Sequence, residues 1–440
     1  MLEREIVFPE GFLWGAATAA HQIEGGNRNN DWWEWEQQPG RVTDGSRSGA
    51  AAEWWAGRAE DDLRRAAAMG HTAHRLSIEW SRLEPSPGTF DESAFGRYRT
   101  ILGTMRDLGM TASVTLHHFT LPQWAARGGG WRNDELVPRF GRFAAESIRR
   151  LGDLVDWWAT INEPMILVYG AYAGHRWPPG ANSIPAGFRA SANLLRAHHA
   201  AYKAGKAVAP DAPIGIVFNL PVIDPARPVL SDRLVARTLG WMMNDMMLVA
   251  LDKGTLSLPL ATRPEPLESG PGAVDWYGLN YYGRHLFQFA PMQWGTLFGR
   301  EVQEGIRSET QSWGEIDPRG LTSGLLKLAE RGKPLLVTES GIFDNRDALR
   351  PAYILRHVRA THEAIQRGAD VRGFFHWTLV DNFEWAEGWS TRFGLIELNP
   401  VTQERRTRRS AAVYERVIRA NGITPELWNA EVREEDYESR

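Results

Sequence analysis

Short apolar runs alternate with amphipathic segments along almost the whole chain. The runs are rich in β-branched and aromatic side chains, which is typical of buried strands. The amphipathic segments carry apolar residues at helical spacing, and several stop at a glycine. This pattern predicts strands at residues 12–20, 73–78, 112–116, 156–164, 213–218, 275–280, 334–339 and 371–378. It predicts helices at residues 51–69, 95–108, 138–151, 188–207, 233–251, 321–331, 352–367 and 409–420.

Strand and helix follow one another as regular units, without an all-helical or all-strand half. Such alternation favours a parallel sheet covered by helices. An open, doubly wound sheet is the alternative, but eight units over 440 residues fit a closed barrel better. We therefore expect an α/β fold, a single (β/α)8 TIM barrel covering residues 1–440. Functional groups in such a barrel lie at the carboxyl ends of its strands.

Two of the predicted strands end in a glutamate. Glu163 closes the fourth strand and is followed by Pro164, which favours extended geometry for the residue before it. Glu339 closes the seventh strand beside a turn glycine. A single glutamate of this kind would simply mark the polar end of a strand. Two that face one cleft could protonate a glycosidic oxygen and attack the sugar carbon.

Other hydrogen-bonding and stacking side chains follow the remaining strand ends. The histidine pair His117 and His118 would make a poor metal site. The two residues are adjacent, and an extended chain points adjacent side chains to opposite sides. We therefore expect no metal and no cofactor. The residues at the strand ends are Gln22, Arg75, His118, Asn162, Asn280, Tyr281, Tyr282, Trp377, Glu384 and Trp385.

Composition narrows the class of protein further. The 50 basic and 54 acidic residues give a net charge of −4, so no strong field attracts nucleic acid. Without cysteine there is no disulfide and no thiolate chemistry. Neither a signal peptide nor a long apolar span is visible, which predicts a cytoplasmic protein without a membrane partner. A homo-oligomer stays open.

Five short motifs follow one another along the chain: residues 20–25 (AHQIEG), 160–164 (TINEP), 278–282 (GLNYY), 338–341 (TESG) and 381–385 (DNFEW). In these motifs and their order the chain resembles family 1 glycoside hydrolases, the retaining β-glucosidases and β-glycosidases. The resemblance extends from residue 8 to about residue 395. It implies a (β/α)8 barrel and hydrolysis of small soluble β-glycosides or oligosaccharides.

The resemblance also implies roles for the residues already selected. Glu163 would be the acid/base and Glu339 the nucleophile, with carboxyl groups about 5–5.5 Å apart. Arg75 and Tyr282 would hold Glu339, although a purely structural ion pair for Arg75 is an open alternative. Packing is the preferred interpretation for Tyr281. Residues implied to contact the sugar or its leaving group are Gln22, His118, Phe119, Asn162, Asn280, Trp377, Glu384, Trp385, Phe393 and Met165.

Some details depart from the family pattern. Met165 and Gly314 stand where tryptophan is common, which predicts a more adaptable outer site. Phe119 replaces a tryptophan beside the pocket histidine. The resemblance further implies a cis peptide between Trp377 and Thr378.

Three functions remain in competition. A non-catalytic sugar-binding barrel is disfavoured because both carboxylates are present. A hydrolase for 6-phosphorylated sugars is disfavoured because Glu384 would repel a phosphate. The expected function is a retaining β-glycosidase that cleaves terminal β-D-glucosides, together with β-galactosides and β-fucosides.

Overall fold

The computed structural model describes residues 2–293, 296–305 and 313–432. Eight parallel strands form a closed barrel in sequence order, and the last strand pairs with the first through Phe375 and Gly15. Closure confirms the (β/α)8 prediction and excludes the open sheet. The strands are β1 (Leu13–Ala17), β2 (Ala73–Ser77), β3 (Thr111–His117), β4 (Trp157–Asn162), β5 (Ile214–Asn219), β6 (Trp276–Tyr281), β7 (Leu335–Ser340) and β8 (Val371–Trp377).

A helix follows each strand and packs outside the barrel. Within the described residues, no helix is long and apolar enough to cross a membrane. The helices are α1 (Ala59–Ala68), α2 (Glu92–Asp107), α3 (Leu136–Leu151), α4 (Ile184–Val208), α5 (Leu230–Gly240, continuing at Met246–Lys253), α6 (Pro318–Ala329), α7 (Arg350–Gln366) and α8 (Arg409–Arg419).

Alternate residues of the strands build two apolar cores. Phe374 of β8 faces outwards and packs near Trp14 and Tyr414, at ring distances of 6.5 and 6.2 Å. Its neighbour Phe375 belongs to a separate inner cluster that includes Trp276. Because side chains alternate along a strand, one apolar run serves both cores. This is why the strands read as nearly continuous apolar runs.

Most predicted elements differ from the observed ones by a few residues at their ends, and three differ in ways that affect the site or interrupt a helix. The first strand ends at Ala17, and Gln22 lies on a short helix at Ala20–Ile23. The first long helix begins only at Ala59, because Gly57 adopts a left-handed φ of 110° and interrupts the helix. The fifth helix is also interrupted, by a wider turn at Trp241–Asp245. Hydrophobic spacing continues across both interruptions, so the sequence pattern does not reveal them.

A small sheet beyond the ends of β5 and β6 was not predicted. Its three strands are Val222–Pro225, Arg284–Phe289 and Gly299–Val302. They are short and partly exposed, so they lack the apolar runs on which the other strands were recognised. The sheet lies on the side of the barrel where the strands end.

Candidate active site

The two predicted glutamates lie at the carboxyl ends of β4 and β7 and are both buried. Glu339 is 3% exposed and forms an ion pair with Arg75, at 2.5 Å from Nη1 to Oε1. Its other oxygen accepts a 2.6 Å hydrogen bond from the hydroxyl of Tyr282. A cation and a hydroxyl donor therefore stabilise the ionised form of this carboxylate.

Glu163 has a different environment, made of neutral donors. Its Oε1 accepts from Asn280 Nδ2 at 2.8 Å and from Asn219 Nδ2 at 3.0 Å. The pKa of Glu163 is raised to about 8, mainly by burial and then by the negative charge of Glu339, while both amide hydrogen bonds act in the opposite direction. Glu163 is therefore disposed to carry a proton near neutral pH.

Arg75 and two asparagines join the glutamates into one network. Arg75 Nη2 donates to Asn162 Oδ1 at 2.7 Å, while Nη1 bonds Glu339. Asn280 Nδ2 bridges Asn162 Oδ1, at 3.1 Å, and Glu163. The ion pair of Arg75 is thus both part of the barrel interior and in direct contact with the site, so the two interpretations of this residue do not exclude each other.

The backbone of Glu163 differs from the prediction. It has φ 44° and ψ 60°, a left-handed conformation, and extended geometry was therefore wrong. Pro164 disfavours the right-handed helical region for its predecessor but leaves the left-handed region accessible. Consecutive side chains of an extended strand point to opposite sides. The left-handed turn instead brings Asn162 and Glu163 into the same network.

Two other pairs of consecutive residues in the site, His118–Phe119 and Glu384–Trp385, also end in a residue with a positive φ. The φ angle is 74° at Phe119 and 49° at Trp385. His118 and Phe119 both pack against Trp385, at ring distances of 6.1 and 5.4 Å. A positive φ is uncommon for large side chains and marks strained positions that surrounding contacts must hold.

Glu384 and Gln22 meet on one side of the pocket. Gln22 Nε2 donates to Glu384 Oε2 at 3.2 Å. Burial raises the pKa of Glu384 well above its ordinary value, as does the charge of Glu339, whereas hydrogen bonds from Trp377 and Gln22 lower it. Further donors, such as sugar hydroxyls, would favour the charged form of this carboxylate.

Aromatic side chains enclose the rest of the pocket. The ring of His118 lies parallel to Trp377 and to Trp385, at 6.1 Å from each. Burial lowers the pKa of His118 well below its ordinary value, with the charge of Arg75 adding to the effect, so the imidazole is neutral. The peptide between Trp377 and Thr378 is cis, as the resemblance implied.

Two selected residues lie at the edge of this arrangement. Phe393 packs behind Tyr282, at a ring distance of 6.1 Å. Met165 is buried, and its sulfur accepts a hydrogen bond from Ser191 Oγ of α4 at 3.8 Å. At Gly314 (φ 94°) a Cβ would approach the backbone oxygen of Arg284 to 2.9 Å, so a tryptophan does not fit this backbone. An outer site lined by Met165 stays a prediction.

Metal-binding side chains do not converge in the part of the chain that the structure describes: no group of three or more His, Asp or Glu could hold an ion there. The two adjacent histidines have separate partners. His117 Nε2 lies 3.3 Å from Trp131 Nε1, and His118 Nε2 lies 3.3 Å from Asn162 Nδ2. Tyr281 donates to the carbonyl of Asp317, away from the glutamates.

Three site residues were missed by the sequence analysis. Asn219 is the last residue of β5 and contacts Glu163, so inspecting every strand end would have found it. Thr338 donates to Asn280 Oδ1 at 2.6 Å and thereby orients that amide. Trp177 packs 4.8 Å from Phe119, and no local pattern distinguishes it from a core tryptophan.

Comparison with known proteins agrees with this geometry. The model of glycosyl hydrolase family 1 matches residues 4–423. β-Glucosidase A of Thermotoga maritima is 34% identical, over 94% of this chain and 98% of its own length. A β-galactosidase of Pyrococcus woesei is 31% identical, over 96% and 99%. The solved β-glycosidase from Pyrococcus horikoshii superposes with a TM-score of 0.88 at 36% identity, over 98% of this chain and all of that one.

The closed barrel, the paired carboxyl groups and the matches to known glycosidases over almost the whole chain together define a glycoside hydrolase. The chain belongs to glycosyl hydrolase family 1.

Proposed function

We propose that the protein is a retaining β-glycosidase that acts on terminal β-D-glucosides of small soluble substrates, and also on β-galactosides and β-fucosides. The main support is the contrast between the two glutamates. Arg75 and Tyr282 favour the charged form of Glu339, while burial raises the pKa of Glu163 to about 8. Such a pair supplies an anionic nucleophile and an acid at once.

In the proposed first step, an oxygen of Glu339 attacks the anomeric carbon from the face opposite the leaving group. Glu163 gives its proton to the glycosidic oxygen as the bond to the anomeric carbon breaks, and the alcohol leaves. The sugar is then an ester of Glu339, whose negative charge is gone. Loss of that charge lowers the proton affinity of Glu163, since Glu339 is one of the causes that raise its pKa.

In the second step Glu163 takes a proton from water, the water oxygen bonds the anomeric carbon, and the ester bond breaks. Glu339 recovers its charge beside Arg75. Two inversions at the anomeric carbon give a product of unchanged configuration. We propose that Asn162, which accepts a 2.7 Å hydrogen bond from Arg75, bonds a hydroxyl of the sugar near Glu339.

Two residues of the proposed sugar pocket carry buried polar atoms without a partner in the part of the chain that the structure describes. Among the described residues, neither Gln22 Oε1 nor His118 Nδ1 has a hydrogen-bond partner, although both are buried. Buried polar groups normally have partners, and we propose that hydroxyl groups of the bound sugar supply them. His118 Nε2 faces the Asn162 amide, which leaves Nδ1 as the position that carries the hydrogen.

The stereochemistry tests the mechanism. Proton NMR of the first sugar released from an aryl β-glucoside should show the β-anomer, before mutarotation mixes the two forms. Initial release of the α-anomer would mean a single displacement by water, and the nucleophilic role of Glu339 would be wrong. No release of sugar from any β-glycoside would refute the proposed function as a whole.

Exchange of Glu384 for glutamine tests sugar recognition. We propose that Glu384 accepts hydrogen bonds from the 4- and 6-hydroxyls, and fucose has no 6-hydroxyl. Loss of a hydrogen bond to a charged group costs about 1.5–3 kcal/mol. We therefore expect kcat/KM of Glu384→Gln to fall roughly ten- to hundred-fold for an aryl β-glucoside, and less for the matching β-fucoside. Equal losses on both sugars would show that Glu384 has only a structural role.

A further inference from the structure

The loop after β3 places two neighbouring side chains on one aromatic surface. His118 and Phe119 are consecutive, yet both pack against Trp385. The left-handed φ of 74° at Phe119 makes this possible. Such a conformation is unfavourable for an ordinary L-residue, because its Cβ comes too close to the following carbonyl oxygen. Contacts outside the turn must therefore hold it.

Two carboxylates bind the residues that follow Phe119. The hydroxyl of Thr120 lies 3.1 and 3.0 Å from the two carboxylate oxygens of Glu79. Leu121 N donates to Asp31 Oδ1 at 2.9 Å, and Leu121 O accepts from Asp31 N at 3.0 Å. Asp31 follows β1 and Glu79 follows β2, so segments from three neighbouring strands meet at this turn.

The surroundings of both carboxylates leave them little freedom. Glu79 is 1% exposed and also accepts a 2.9 Å hydrogen bond from the hydroxyl of Ser81. Asp31 accepts a second backbone hydrogen bond, from Trp32 N at 3.0 Å. Glutamine at position 79 would replace one of the two acceptor oxygens by a donor. Removal of the Asp31 carboxyl group would leave the buried N–H of Leu121 without the oxygen that accepts it.

We propose that Glu79 and Asp31 are positioning residues of the sugar pocket: they hold the left-handed turn at Phe119 and so keep His118 and Phe119 against Trp385. The proposal rests on the proposed function, since the pocket is taken to bind the sugar. Neither carboxylate belongs to the network of Glu163 and Glu339. Their loss should weaken sugar binding while the pH dependence of the reaction stays unchanged.

A double-mutant cycle between Glu79 and Thr120 tests this contact. The probe is the inhibition constant of deoxynojirimycin, a sugar mimic, measured against an aryl β-glucoside. We expect Glu79→Gln and Thr120→Val each to raise this constant about tenfold, the order expected for one lost charge-assisted hydrogen bond. The double variant should be no weaker than the worse single variant, because both remove the same contact. Thr120→Ser keeps the hydroxyl and should bind like the wild type.

Glu84→Gln is the matched control. Glu84 is also fully buried and accepts from Trp80 Nε1 and Gly88 N. It forms an ion pair with Arg142, but among the described residues it has no hydrogen bond to the turn. Its replacement should lower the melting temperature and leave the inhibition constant unchanged.

Asp31→Ala is a second test of the turn. It removes the oxygen that accepts from Leu121 N and should weaken inhibition in the same direction as Glu79→Gln. The test therefore stays valid if one variant does not fold.

The proposal would be overturned if Glu79→Gln and Thr120→Val both kept the wild-type inhibition constant. It would also be overturned if the increases in this constant multiplied in the double variant, or if Glu84→Gln showed an equal increase. An altered pH profile in Glu79→Gln would also contradict it, because the effect would then reach the catalytic pair. A wild-type protein that neither cleaves aryl β-glycosides nor binds deoxynojirimycin would instead refute the proposed function.

Discussion

Replacement of Glu339 by alanine is expected to abolish turnover on every β-glycoside. No covalent intermediate can form without this carboxylate, and water would have to attack without a base on the correct face. Loss of a covalent nucleophile lowers kcat by about 10⁴-fold or more. Initial rates on aryl β-glucosides measure the effect. Azide should restore part of the rate, because a small anion can attack from the position of the missing carboxylate, and the product would be an α-glycosyl azide.

Asp62→Asn is a matched control for this experiment. Asp62 is also a buried carboxylate paired with an arginine, Arg405, at 3.1 Å, but it lies on α1 outside the barrel. Its replacement removes a buried ion pair of similar exposure and should lower stability while kcat stays close to that of the wild type. If Glu339→Ala retained kcat within tenfold of Asp62→Asn, Glu339 would not be the nucleophile.

Replacement of Glu163 by alanine should separate substrates by their leaving groups. An alkoxide leaves poorly without a proton, so kcat/KM for an alkyl β-glucoside should fall by about 10²–10⁴-fold. Dinitrophenolate leaves without protonation, so kcat/KM for the dinitrophenyl glucoside should change little. Its kcat should still fall, because the second step lacks its base. Equal losses of kcat/KM on both substrates would refute the acid/base role.

The pH profile provides a second test of the same residue. Glu163 must be protonated in the first step, and its pKa is raised to about 8. For the wild type, kcat/KM on an alkyl glucoside should therefore decrease above about pH 8, as the acid loses its proton. This alkaline decrease should be absent in Glu163→Ala. A decrease at the same pH in the variant would assign the titration to another group.

The strand pattern was enough to predict the barrel and, apart from the first strand, the approximate ends of its strands. A strand covered on both faces must be apolar at nearly every position, and this requirement acts on each strand separately. For the same reason Glu163 and Glu339 could be placed at the mouth of the barrel from local sequence. Prediction failed where hydrophobic spacing continues through a break, as at Gly57, and where short strands are partly exposed, as at Val222–Pro225.

By itself the sequence determined the alternation of elements, the closed barrel it favours and the positions of the two glutamates. Only the tertiary structure decided which neighbours face the site. The left-handed φ at Phe119, Glu163 and Trp385 depends on contacts from other loops, and local propensity opposes it. The raised pKa of Glu163 likewise depends on burial and on Glu339, which lies far away in sequence. Charges and desolvation act through space, so no local pattern could contain them.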